Sequence, residues 1–281
     1  MDERPGLRDR ILGCLLGGAI GDAYGGIAER GRVCLSDDTQ LTLATCESIA
    51  EAGRADPAHL AATFRRWFEG RRLTGLGSST LKALRDLEAG AHWALAGARG
   101  EMAAGNGGAM RIAPLAFAPG VDRMVIRDVV RITHHSDEAY IGALVVVEAI
   151  RGDRPRSLFE QLRVVAEPLP DSRVRDRMMS VVGTSTVAGL RAVAALGTSG
   201  YVVDTVPLAL VAAWAMESSF AQTLEELTQL GGDVDTIGSI AGQIAGAALG
   251  VAGLPSQLLD GLPEREMVES IAERFVARVI T

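Results

Sequence analysis

Lysine is almost missing from this chain. Of 28 basic residues only Lys82 is a lysine, and the rest are arginines. With 35 acidic residues they leave a formal net charge of −7, and no basic face or run follows the spacing of a polyanion, so nucleic acid is excluded as a partner. Cysteine is scarce too: Cys14, Cys34 and Cys46 are odd in number, form no C-x-x-C pair and have no histidine at metal-site spacing. That excludes a disulfide framework and a zinc site and points to a reduced, cytoplasmic protein. Long apolar runs are absent. The run from Ile11 to Ile20 ends at Asp22, and 240-IAGQIAGAALGVAGLP-255 contains Gln243; both fall short of the roughly 20 residues a membrane helix needs. MDERPGLRDR at the start mixes both signs and resembles no signal peptide. Alternating strand patterns are nearly absent, 180-SVVGTSTVAG-189 being the one segment that tempts such a reading. Aromatics reach only 4%.

What is present is small and apolar. Apolar residues make up 48%, which excludes a disordered chain, and 33 of 281 residues are glycine, about 12% against an average near 7%. The core is therefore built from small aliphatic side chains and closely approaching backbones. Leu7, Ile11, Leu15 and Ile20 fall at helical spacing, with Gly13, Gly17 and Gly18 where another helix can pack closely. A second helix spans 38–53, with Ser36 or Asp37 at its N-cap and Gly53 at its stop. The pattern predicts further helices over 57–69, 79–89, 124–131, 137–151, 157–166, 173–195, 203–216, 220–229, 236–250 and 264–279. No long linker and no internal repeat divide them. The expectation is one all-α domain over 1–281, monomeric.

Two acidic clusters carry the chemistry. In 36-SDDTQ-40 a hydroxyl precedes two adjacent carboxylates; in 231-GGDVDTIG-238 two carboxylates at i and i+2 precede a hydroxyl. Each opens a helix, so N-capping explains either one alone. A cap needs one side-chain oxygen, however, and each cluster offers three. If the clusters face each other, four carboxylates gather, and their mutual repulsion raises their pKa values unless cations neutralise them. A donor set of oxygens alone suits Mg²⁺ or Mn²⁺ better than zinc or copper, and a pair of such ions can make a shared water nucleophilic at neutral pH. Three further segments stand out. 105-GNGGAMRIAP-114 is a Gly-rich loop able to expose backbone N–H groups to phosphates, although it is neither a Walker A loop nor a Rossmann fingerprint. 133-THHSDEAY-140 holds two of the four histidines, and 199-SGYVVDTVP-207 holds Tyr201, one of three tyrosines; a structural role is open for both.

Together, 17-GGAIGDAYGGIAE-29, 36-SDDTQLTL-43, 105-GNGGAMRIAP-114, 133-THHSDEAY-140, 200-GYVVDT-205 and 231-GGDVDTIGSIAGQIAGA-247 resemble the ADP-ribosylglycohydrolase family. Within it the chain looks most like the dinitrogenase reductase-activating glycohydrolase branch. The resemblance runs from about residue 8 to residue 250. It implies an all-α fold with two Mg²⁺ or Mn²⁺ ions between helix N-termini. It also implies release of ADP-ribose from an ADP-ribosylated protein, most readily from arginine. An O-linked substrate (serine or O-acyl-ADP-ribose) and a non-catalytic ADP-ribose-binding member are the alternatives. It implies Ser36, Asp37, Asp38, Asp233, Asp235 and Thr236 as metal ligands, and Glu29, Asp37 and Asp38 as the catalytic carboxylates. Asn106, Gly107, Gly108, Ala109, Met110, Arg111, His134 and Tyr201 would bind the substrate. Two departures bear on specificity: only six residues separate Glu29 from Ser36, and Gly75 stands where many relatives carry an acid.

Overall fold

A computed structural model describes residues 5–152, 158–183 and 189–280. The first helix, α1 (Leu7–Gly25), is buried on every side from Ile11 to Ala23. That is the expected state of a helix apolar all round. Its partner is α13 (Val234–Leu249), and glycine sets their separation. Gly13, Gly17 and Gly21 face Gly246, Gly242 and Gly238 in antiparallel order. A Cβ at Gly17 would lie 2.4 Å from the Gly242 carbonyl oxygen, and one at Gly242 would lie 2.1 Å from that of Gly17. Only bare backbone fits on either side of this seam. The antiparallel contact carries the C-terminal end of α1, with Asp22, to the N-terminal end of α13, with Asp233 and Asp235.

Around this pair the chain adds α2 (Ile27–Arg30), α3 (Asp37–Ala52), α4 (Pro57–Glu69), α5 (Ser78–Glu88), α6 (Trp93–Ala96), α7 (Arg123–Arg131) and α8 (Asp137–Arg151). Then follow α9 (Leu158–Ala166), α10 (Arg173–Gly183), α11 (Leu190–Ala194) and α12 (Val202–Thr228), with α14 (Ser256–Asp260) and α15 (Arg265–Ile280) beyond α13. The fold is all-α. Caps place the boundaries: Ser36 accepts from Asp38 N, Asp56 from Ala58 N and His59 N, Asp122 from Met124 N and Val125 N, and Ser136 from Ala139 N. Among the described residues the strands are β1 (Ala98–Arg99) and β2 (His134–His135), paired in parallel. Residues 180–183 end α10, and the rest of the strand-like stretch, 184–188, lies outside the described residues. Where the periodicity breaks 203–229 into two helices, α12 is kinked at Ser219, whose extended dihedrals (φ −156°, ψ 88°) separate two helical segments. This helix is long and apolar enough to cross a membrane, but 67% of its apolar window is buried within the protein, against α13, α10 and α8.

Candidate active site

Asp22 is the anchor of the site. It is fully buried, and its carboxylate accepts hydrogen bonds from Ser36 N (2.9 Å), Thr39 N (3.3 Å) and Thr39 Oγ1 (2.7 Å). Ser36 Oγ lies between Asp22 Oδ1 at 2.7 Å and Asp38 Oδ2 at 3.0 Å. An acid at the C-terminal end of α1 thus satisfies the free N–H groups at the start of α3. From α13, Thr236 Oγ1 reaches Asp38 Oδ2 at 3.3 Å and Asp233 Oδ1 at 3.2 Å. The two acidic clusters therefore meet. Single carboxylate oxygens of Asp22, Asp38 and Asp235 lie within 4.8 Å of one another.

Crowding shifts their protonation. Burial and then the Asp22 charge push the Asp37 carboxyl up to about 8. Burial, then Asp22 and Asp37, hold Asp38 well above the carboxylate range. Burial and then Asp235 raise Asp233 to about 6. Asp22 is raised as well, chiefly by burial, against the hydrogen bonds it accepts. Like charges at this density require either protons or a cation. Asp38 Oδ1 is buried and has no hydrogen-bond partner, an arrangement that is costly unless something else takes up the oxygen. With oxygen donors only, these residues fit a hard divalent cation. Part of the compensation comes from Arg30, whose Nη1 lies 3.2 Å from Asp22 Oδ1 and 3.4 Å from Asp235 Oδ2 and whose Nη2 donates to the Asp22 carbonyl.

The cluster forms one wall of a cavity of about 840 Å³. Asp37, Asp38, Asp233, Asp235 and Thr236 line it on one side, and Asn106, Gly107, Met110, His134 and Tyr201 on another. The loop between them is held firmly. Asn106 N donates to Gly200 O (3.0 Å), Val202 N to Ala104 O (3.0 Å), and Met110 O accepts from Gln243 Nε2 (2.7 Å) and Thr42 Oγ1 (3.2 Å). Asn106 Nδ2 donates to Asp233 Oδ2 at 2.5 Å and to Thr205 Oγ1 at 3.0 Å, joining the loop to the acidic cluster. The N-terminal turn of α5, with Ser78, Ser79 and Thr80, and the rim residues Glu101 and Met102 complete the wall.

The structure separates some residues that the sequence groups together. Gly108, Ala109 and Arg111 do not line the cavity: Gly108 packs on Val130, and Ala109 and Arg111 are fully buried behind the loop. Ser36 is also behind the wall, its hydroxyl engaged by Asp22 and Asp38. The Glu29 side chain lies outside the described residues. Gly75 has φ +82°, and a Cβ there would lie 3.4 Å from Asp37 Oδ1. Asp22 falls outside the ligand set that the motifs imply, although an acid ending an otherwise apolar helix is a signal available in the sequence; Arg30 offers no comparable signal. The α5 turn and the Glu101–Met102 rim likewise belong to segments without a motif.

The family model described as ADP-ribosylglycohydrolase matches residues 3–281. The ADP-ribosyl-[dinitrogen reductase] glycohydrolase of Rhodospirillum rubrum is 28% identical, with 94% of each chain covered. The ADP-ribosylarginine hydrolase Tri1 of Pseudomonas putida (strain GB-1) is 27% identical over 96% of this chain and 78% of its own. A solved structure described as an "ADP-ribosylglycohydrolase-related protein complex" superposes with a TM-score of 0.71 at 29% identity, covering 97% of this chain and 99% of the other.

Proposed function

The chain belongs to the ADP-ribosylglycohydrolase family, whose reaction is the removal of ADP-ribose, and from that premise we propose that it hydrolyses the N-glycosidic bond between ADP-ribose and a protein arginine. The observation that carries the proposal is the meeting of the two acidic clusters on the wall of a cavity whose other wall is the 105–110 loop. The arginine linkage is favoured because relatives named for arginine-linked and dinitrogen reductase-linked ADP-ribose align with nearly the whole chain. We further assign two Mg²⁺ or Mn²⁺ ions, with Asp37, Asp38, Asp233, Asp235 and Thr236 as the holding residues and Ser36 and Asp22 orienting them.

Bound divalent ions supply charge neutralisation and Lewis acidity; the rest is done by the chain. The diphosphate is assigned to the cavity side lined by Gly105, Asn106, Gly107 and Met110, with His134 beside it. Tyr201 stands at the adenosine end. The acidic wall faces the ribose, where cleavage builds oxocarbenium character that fixed carboxylates stabilise. Asp37, Asp38 and Glu29 are the groups assigned to orient water and move its proton. The protein acts in the cytoplasm as a monomer on this reading, in keeping with three free thiols.

The test is incubation with arginine-ADP-ribosylated protein in Mg²⁺ or Mn²⁺, beside serine-linked and O-acyl-ADP-ribose substrates. Release from the arginine conjugate alone is the expected result. Release only from the O-linked substrates overturns the linkage. No release from any of them, with metal and ADP-ribose still bound, overturns the enzyme reading in favour of a binding protein.

A further inference from the structure

Arg111 is an uncommon buried arginine. It is fully enclosed, and among the described residues no carboxylate lies within ion-pair distance of its guanidinium. Such a charge is costly to bury unless its donors are placed. Those of its two terminal nitrogens are: Nη1 donates to Gly107 O, and Nη2 to Thr133 Oγ1 at 2.8 Å and Val129 O at 3.4 Å, while Nε has no hydrogen-bond partner. The group sits over the Phe64 ring at 5.2 Å. It remains a cation at neutral pH, lowered by burial only to about 10.

Thr133 passes the contact on. Its Oγ1 is 2.7 Å from His134 Nδ1. A hydroxyl that accepts from a guanidinium still has one proton to donate, and Nδ1 is the neighbour placed to accept it. Nδ1 is then an acceptor, so the ring proton of a neutral imidazole resides on Nε2. The imidazole is neutral, because burial and then the Arg111 charge lower His134 to about 3. The ring packs against the Gly-rich loop. A Cβ at Gly107 would come within 2.8 Å of its Cε1, and one at Gly105 within 3.1 Å of its Nε2. His134 also lines the cavity, and among the described residues no acceptor takes the Nε2 hydrogen.

We propose that Arg111 is a positioning residue that acts through the Thr133 hydroxyl to hold His134 as the Nε2–H tautomer, aimed as a hydrogen-bond donor at an anionic group of the ligand in the cleft. By the same guanidinium it engages the Gly107 carbonyl and fixes the loop beside the ring. Arg111 thus serves the ligand without touching it. The ligand's identity as an ADP-ribosyl group rests on the functional reading above; the tautomer does not.

The experiment has two independent readouts. Long-range ¹H–¹⁵N spectra of ring-labelled protein, taken without ligand at neutral pH, report the His134 tautomer. Calorimetry with ADP-ribose in Mn²⁺ reports affinity. The wild type should show Nε2–H. Thr133→Val, close in shape, should lose that signature and bind ADP-ribose about tenfold more weakly, the scale of one hydrogen bond to a charged group. Thr133→Ser should restore both, and Arg111→Met should match Thr133→Val if it folds. An Nδ1–H tautomer in the wild type overturns the proposal. So does a Thr133→Val protein that keeps wild-type affinity, or one that loses affinity while His134 remains Nε2–H. If wild type shows Nε2–H but binds no ADP-ribose, the aim at that ligand is overturned together with the functional reading, while the tautomer assignment stands.

Discussion

Replacing Gly21 by alanine tests the seam on which the site depends. In an open helix this change stabilises by about 1 kcal/mol, because glycine is the poorer helix former. Here an added Cβ would lie 2.0 Å from the Gly238 carbonyl oxygen and 2.3 Å from its carbon. Carbon–oxygen contacts settle no closer than about 3.3 Å, so the backbones of α1 and α13 must part by roughly an ångström. Overpacking a tight core costs about 1–3 kcal/mol, and no flexible side chain can turn away, because the obstacle is backbone. The helix-propensity gain is outweighed, leaving a net loss of up to about 2 kcal/mol and a Tm lower by up to about 8 °C for a chain of this size. Asp22 is the next residue, and Asp235 lies across the seam, so Mn²⁺ affinity should fall as well. Thermal unfolding followed by circular dichroism, with Mn²⁺ titration by calorimetry, reads both. A Tm equal to or above that of the wild type would refute the claim that bare backbone contact sets the helix spacing.

Further outcomes are expected. Metal-free protein should lose stability as pH rises from about 4 to about 8: Asp37 at about 8 and Asp233 at about 6 lie above the unfolded value of 3.8, so the folded state holds more protons in that window. Saturating Mn²⁺ should flatten the slope, and Tm against pH with chelator and with metal checks it. Arg30→Ala should tighten Mn²⁺ binding several-fold, because a divalent ion need no longer displace the guanidinium from Asp22 and Asp235; weaker binding would mean that Arg30 shapes the cluster. Gly75→Ala should destabilise by about 1–2 kcal/mol in urea unfolding, the cost of a side chain in the left-handed region, since Gly75 has φ +82°.

Much of the helical layout is legible in the chain because its signals are local. Ser36, Pro57 and Ser136 mark helix starts, and Gly53 marks an end. Each acts within a turn of its own position. The spacing of glycines in α1 and α13 is visible in the same way, though which helix meets which is not. The break between 203–216 and 220–229 is legible too, since the chain leaves helical dihedrals at Ser219 between them. Arg111 shows the opposite limit. In a Gly-rich loop an arginine looks like a phosphate contact, yet its guanidinium turns inward to Gly107 and Thr133.

The sequence by itself determined the all-α class, the oxygen-rich chemistry of 36-SDDT-39 and 233-DVDT-236, and the family. These follow from periodicity, caps and residue type, which are properties of neighbours along the chain. Tertiary structure alone decided that the two clusters share one wall, that Asp22 ties them together, that Arg30 answers their charge and that Arg111 lies behind the loop. Those facts depend on a glycine seam that lets two backbones approach until residues more than 200 positions apart exchange hydrogen bonds and charge, as Arg30 and Asp235 do with |i−j| of 205. Close approach of this kind is set by the absence of side chains on both helices at once, and no single stretch of sequence contains it.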